Sequence, residues 1–260
     1  MAAMTTPPPR APGLVDAPEA LARELAPWVQ ALVEQSSATF RALYLHGSAL
    51  TPQFDPQGSD ANLLLVVADL PFDRLKALAR TTRELAARAP RARRVTPLVL
   101  TEPQIRKSVD VFPAEFLDLA ARRALLAGTD VLGGIVIGLG NLRHQCEYEL
   151  RAKQLGLRQA FLLAGGAPGI AQQVLAQAAG GLGAVLRQLL ALRGAPAPGD
   201  PDALVAAVAR TYGVDAGALG APFAARRGPA ADDARGQVAL AAHLGVLEAL
   251  IDAVDALPVS

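Results

Sequence analysis

The sequence predicts an α/β unit built on a small mixed sheet, followed by an all-helical bundle. Three observations predict it. Short apolar runs of strand length alternate with helix-period segments over the first half of the chain, only helical periodicity is found from Gly140 onward, and the two patterns meet across the glycine-containing stretch 131–140. The expected organisation is an N-terminal arm over 1–14, an α/β unit over 15–137 and a helical unit over 138–260.

Leu21, Leu25, Trp28, Val29, Leu32 and Val33 recur at helical spacing, so an amphipathic helix over 16–34 opens the fold, with Pro27 expected to kink or split it. Residues 40–45 are apolar and β-compatible and run straight into Gly47 and Ser48. A loop rich in Pro, Gly, Asp and Ser, 51–59, leads to a second strand over 62–67. Helical periodicity returns over 72–89 through Leu75, Leu78, Ala79 and Leu85. The third strand, 95–100, contains Pro97, which has no amide proton to give and belongs at a sheet edge or a strand start. Two short helices follow, 102–108 and 113–123, the second opening on Pro113. Residues 125–128 add a last strand.

Beyond the boundary, helices are expected over 141–163, 170–192, 202–212 and 231–257, punctuated at 165–166, 194–201 and 213–229. Gly180, Gly181 and Gly183 fall inside the second of them. Each costs about 1 kcal/mol relative to Ala in a helix, and a close helix contact is their simplest use.

Composition excludes several classes. A formal net charge of +1 gives no global field toward nucleic acid or an anionic membrane. The one basic run, Arg91, Arg93 and Arg94, falls between a helix and a strand and reads as a solvated turn, so no nucleic-acid partner is expected. The single Cys146 excludes an internal disulfide and a cysteine-built zinc site; it reads as a buried structural thiol in a reducing compartment. The first residues carry Pro7, Pro8 and Pro9 without an apolar run, which is an arm and not a signal peptide. Residues 131–139 are too short to span a membrane, and 174–192 are interrupted by Gln177, Arg187 and Gln188. A cytoplasmic location without a membrane segment is the expectation.

The stretch that carries chemistry is 43–67, LYLHGSALTPQFDPQGSDANLLLVV. A strand ends in Gly47-Ser48, a loop follows, and Asp60 opens the next strand. Residues i and i+2 of an extended strand face one side, so Asp60 and Asn62 would present two oxygen-bearing side chains to one point. Taken one at a time, Gly-Ser after a strand and Asp before one also serve as plain turn and cap residues. His46 reads as a hydrogen-bonded histidine at a strand end. His144 and His243 lack metal spacing.

In this order and spacing the segment resembles the nucleotidyltransferase superfamily, which includes DNA polymerase β and the aminoglycoside nucleotidyltransferases. The family pattern is a Gly-Ser pair opening a helix and an Asp-x-Asp on the next strand. Gly47-Ser48 match the first part, and Ser59, Asp60, Ala61 and Asn62 followed by LLLVV match the second. The resemblance implies a nucleoside triphosphate ligand, with Gly47, Ser48 and Ser59 beside the nucleotide, Asp60 catalytic, and Mg²⁺ held by Asp60 and Asn62. It implies transfer of a nucleoside monophosphate to a small-molecule or protein acceptor, and a possible homodimer through the helical tail. Two departures stand against catalysis. Asn62 replaces the second carboxylate, and no acid stands on the third strand where the family places its last one. Glu102, Asp110, Glu115 and Asp118 are the nearest substitutes in sequence. Arg143 or Lys153 on the helix 141–163 would meet phosphate, or else form part of a solvated, ion-paired face that includes Glu147 and Arg151. The alternatives are a non-catalytic nucleotide-binding regulator and a helical interaction module.

Overall fold

The computed structural model describes residues 13–51, 54, 60–88, 95–228 and 232–258. Two compact units divide the chain, 1–137 and 138–260. The basic run 91–94 lies outside the described residues.

In the first unit four strands form one sheet in the order β3-β2-β1-β4: β1 Phe40–His46, β2 Ala61–Val67, β3 Val95–Thr101 and β4 Arg123–Gly128. β1 runs antiparallel to both β2 and β4, and β2 runs parallel to β3, so the sheet is mixed. β3 is an edge, the position in a sheet where a residue without an amide proton is tolerated, and it contains Pro97.

Both faces are covered, which is why Leu63–Val67 are apolar without alternation. Leu43, Leu45, Leu63 and Leu65 pack with Leu21, Leu25, Trp28 and Leu32 of α1 (Glu19–Ser36) and Leu78 of α2 (Phe72–Arg88). Ala42, Tyr44, Leu64 and Val66 pack with Ile105 of α3 (Glu102–Ser108) and with Phe116 and Leu119 of α4 (Pro113–Ala121). Thr101 starts α3 through a reciprocal capping box with Gln104.

α1 runs through Pro27 as one helix, so of the kink or split expected there the split does not occur. Pro27 is exposed, so water can satisfy the carbonyl it leaves unpaired. α4 stops at Ala121, two residues earlier than expected, because Arg122 turns extended and Arg123 enters β4. There the Arg123 N–H donates to the Gly13 carbonyl and its carbonyl accepts from the Val15 N–H, both at 2.9 Å. Of the expected arm, 1–12 lie outside the described residues, whereas Gly13 and Leu14 lie along β4. Gly13 has a φ of 76°, and a Cβ there would stand 1.8 Å from the Ala120 carbonyl oxygen.

The second unit is all helix: α5 Leu139–Leu163, α6 Ile170–Ala178, α7 Leu182–Leu192, α8 Pro201–Tyr212, α9 Ala216–Arg227 and α10 Asp233–Asp255. Two expectations fail here. The helix expected over 170–192 is two, bent by 53°. Gly181 takes a φ of 69°, which ends one helix and starts the next, so these glycines break the helix where a close contact was expected. The stretch 213–229, expected as a linker, contains α9. Its glycines and Pro222 argue against a helix, but Asp215 caps it and burial of Leu219 and Phe223 outweighs the propensity. α10 is long and apolar enough to cross a membrane by length and composition, a feature the sequence scan passed over. It buries Leu240, Leu247, Leu250, Ile251 and Val254, as a core helix does.

Candidate functional site

Of the expected site residues, Gly47, Ser48, Asp60 and Asn62 lie where β1 ends and β2 begins. β1 and β2 are antiparallel, so the last residue of one faces the first residues of the other, and His46 pairs with Asn62. The same row continues to Thr96 on β3 and to Arg123 on β4. By strand alternation Asn62 and His46 share the face of Leu64 and Tyr44, which is the α3 and α4 side.

Gly47 turns the chain out of β1 with a φ of 77°, and 47–50 form a single 3-10 turn where the family pattern has an α-helix. A Cβ on Gly47 would meet the Asn62 Nδ2 at 3.0 Å. A glycine is favoured there, for its backbone conformation and for the amide beside it. The structure thus brings Gly47 and Asn62 together. Ser48 is exposed, and its carbonyl accepts from the N–H of Thr51 at 3.0 Å and from its hydroxyl at 2.8 Å. Asp60 is exposed and stands just before the first ladder residue of β2, so strand alternation does not itself fix where its carboxylate points. Ser59 lies outside the described residues.

His46 is partly buried, and burial pushes its imidazole below the ordinary value, so the ring is neutral at pH 7. A neutral ring offers one donor and one acceptor beside the Asn62 amide.

The carboxylates proposed as substitutes are differently placed. Glu102 follows Thr101, the partner of Val67 at the far end of β2, which is about 17 Å of strand from Asn62. It is held by Arg106 at 2.7 Å and Arg41 at 3.5 Å, and those guanidinium groups, Arg106 first, hold its carboxyl below the usual range. Asp110, Glu115 and Asp118 are exposed. On β3 the neighbours of Leu64 and Val66 are Leu98 and Leu100, so that part of the face is apolar. Among the described residues no group of three or more His, Cys, Asp or Glu side chains is placed to hold a metal ion.

One polar cluster on this face escaped sequence reasoning. Arg123, 1% exposed, donates to both oxygens of Asp130, at 3.0 Å from Nε and 2.6 Å from the other guanidinium nitrogen. Tyr44 donates its hydroxyl to Asp130 at 2.9 Å and accepts from the Val131 N–H at 2.7 Å. The Leu132 N–H adds a 3.2 Å bond to the same carboxylate. Burial raises the Asp130 carboxyl, but the bonds from Arg123 and Tyr44 outweigh it and leave it below its ordinary value. Burial and the Asp130 hydrogen bond push the Tyr44 phenol well up. The signal in sequence was a tyrosine inside an apolar strand and an arginine opening another. The cluster locks the segment after β4 onto β1.

In the second unit, Cys146 is buried and its thiol is pushed up to about 12 by burial, with the Glu149 charge adding to it; such a thiol is inert. His243 donates from Nδ1 to the Ala218 carbonyl at 2.9 Å, and burial lowers its pKa. Lys153 donates to the Gly180 carbonyl at 3.0 Å. Arg143 is buried against the carboxylate and carbonyl of Asp255, and Arg151 pairs with Glu147 at 2.9 Å.

No protein-family model matches the chain, and no curated protein matches it. Among solved structures it is similar to the spectinomycin adenyltransferase AAD(9) from Enterococcus faecialis, solved with ATP and spectinomycin. The match has 12% identity and a TM-score of 0.48 over 90% of this chain and 98% of that one. A likeness that coarse leaves the function to be argued from the residues.

Proposed function

We propose that the first unit binds a nucleoside triphosphate at the Gly47 turn, in the manner of a nucleotidyltransferase that has lost most of its turnover. The observation that carries this is the seat of the Asn62 amide against Gly47, with Asp60 two residues away. The glycine leaves its backbone open to close approach by phosphate, and Ser48 adds a hydroxyl beside it. Mg²⁺ is commonly held by one or two carboxylates plus substrate phosphates, so Asp60, the nucleotide and the neutral oxygen of Asn62 fit one ion. The donor set among the described residues does not fit a two-ion clamp. When bound, the ion would neutralise phosphate charge. Asp60 and Asn62 would orient the nucleotide, and neutral His46 would offer a hydrogen bond without repelling the ion.

Transfer of a nucleoside monophosphate to a small-molecule or protein acceptor, if retained, is slow on this reading. The apolar pair Leu98 and Leu100 on β3, where no acid stands, favours a nucleotide-binding regulator over an efficient enzyme. Calorimetry with each common nucleoside triphosphate, with and without Mg²⁺, tests binding, and pyrophosphate release in the presence of a metabolite mixture tests turnover. Saturable, Mg²⁺-strengthened binding with little pyrophosphate is the expected result. No affinity for any nucleotide under either condition defeats the proposal, and rapid pyrophosphate release restores the enzyme in place of the regulator.

A further inference from the structure

The segment 47–50 is a single turn of 3-10 helix, too short to hold itself. A lone turn fixes several backbone torsions for one or two hydrogen bonds, and those of a 3-10 helix are poorly aligned. Its local support comes from Thr51, whose N–H and hydroxyl both donate to the Ser48 carbonyl. Ala49 and Leu50 are buried with the apolar residues of α1, which anchors the later half of the turn. Apolar packing has no direction, however. It sets where the turn lies and not how its peptide groups are oriented. The orienting contact comes from 72 residues away, where Arg122 donates from its guanidinium to the Leu50 carbonyl at 2.6 Å. That carbonyl ends the turn, so no later residue of the helix satisfies it. Among the described residues this is the one side-chain hydrogen bond that reaches 47–50 from elsewhere in the fold.

The backbone that launches this side chain is itself fixed. The Arg122 N–H closes α4 on the Asp118 carbonyl at 3.1 Å, and the next residue enters β4 opposite His46. A hydrogen bond from a charged donor is roughly twice as strong as a neutral one. Among the described residues no ion pair diverts the Arg122 guanidinium, whereas that of Arg123 is committed to Asp130. We infer that Arg122 is a positioning residue of the proposed nucleotide site. By holding the Leu50 carbonyl it keeps the turn, and with it the Gly47 backbone beside Asn62, in the conformation that receives phosphate. This rests on the nucleotide reading of that turn. Gly47 lies three residues before Leu50, about 6 Å along a 3-10 helix. Peptide units are rigid planes, so a rotation of the Leu50 peptide passes along so short a turn to Gly47. Arg122 thus acts on the ligand through the turn, without a contact of its own to phosphate.

Two measurements on the full chain test this, for the natural protein, Arg122→Met and Arg122→Lys. Met keeps an apolar stem and removes the donor, and Lys restores a charged donor. Arg122 is exposed, and urea unfolding followed at Trp28 checks that each variant folds. The first measurement, without nucleotide, is hydrogen exchange at the Thr51 amide, which closes the turn on Ser48. Exchange there should quicken by about tenfold or more in Arg122→Met and slow again in Arg122→Lys, with the amides of β2 unaffected. Unchanged exchange at Thr51 overturns the inference. The second is calorimetry with ATP, GTP, CTP and UTP, each with Mg²⁺. The dissociation constant should rise about tenfold in Arg122→Met and return to within about threefold of the natural value in Arg122→Lys. That ratio should persist in about 1 M NaCl, where charge is screened beyond about 3 Å. Faster exchange with unchanged affinity overturns the positioning role, as does a ratio that vanishes in high salt. A natural protein that binds none of the four nucleotides removes the nucleotide reading, and the positioning role falls with it; the exchange result tells that failure from failure of the Arg122 contact.

Discussion

Gly47→Ala probes the proposed nucleotide site most directly, because two separate costs fall on that residue. An L side chain at a φ of 77° sits in the left-handed region, which costs about 1–2 kcal/mol. The new Cβ would also stand 3.0 Å from the Asn62 Nδ2, closer than ordinary contact, so the amide must swing away from its seat. Together these predict a loss of about 2 kcal/mol, roughly a thirtyfold change in the folding constant. Trp28, the single tryptophan, is buried in the core of the same unit, so its fluorescence in urea reports this unit's unfolding. The two costs separate in a double-mutant cycle. In an Asn62→Ala background the amide is gone, and Gly47→Ala should cost only the backbone part, about 1 kcal/mol. Nucleotide affinity should fall in Gly47→Ala even where the protein remains folded. A change within about 0.3 kcal/mol of the natural protein, or an equal cost in both backgrounds with affinity intact, would refute the geometry from which the site is built.

Asp130→Asn leaves the buried Arg123 charge without its counterion and should cost about 3–5 kcal/mol in the same urea experiment; a cost under about 1 kcal/mol would mean that the pair is not formed. Asp60→Asn, at an exposed position, should leave stability unchanged and remove the Mg²⁺-dependent part of nucleotide affinity, read by calorimetry; an equal Mg²⁺ effect in the variant removes Asp60 as a metal ligand. Burial lowers the pKa of His46 and of His243, so below about 6.5 the unfolded chain binds protons that the folded chain does not. Stability should therefore be complete above that pH and fall as pH drops from 7.5 to 5.5, a slope that Asp130, held below its ordinary value, does not share. A rise in stability over the same window would contradict the burial of both rings.

Legibility followed the range of the interactions. The apolar run 63–67 announces a strand covered on both faces, and Pro97 announces an edge, because each depends on a residue's own chemistry. The break at Gly181 was visible as glycine but not as a bend. A glycine within an apolar helical pattern serves equally as a close contact, and only its φ decides. α9 was missed because its glycines and proline lower helical propensity, while the burial that sustains it comes from packing against α6, α8 and α10. At the candidate site, the approach of Gly47 to Asn62 depends on the pairing of His46 with Asn62 across a loop. The neighbours at Thr96 and Arg123 depend on sheet register, which no local pattern carries.

On the proposed reading, carboxylate supply, and not nucleotide access, limits chemistry on this face. Asp130 is an acid held there by the fold, and its oxygens accept from Arg123, Tyr44 and the Leu132 N–H. Drawing it into a metal site would strip a counterion from an arginine that is 1% exposed, at a cost of several kcal/mol. Asp60 carries no such burden, since it is exposed and free of the core. One carboxylate committed to structure and one facing solvent would suit a metal-bound triphosphate, yet the described residues supply no second anionic bridge to polarise an acceptor. On the proposed reading, binding survives on this face under conditions in which rapid transfer does not.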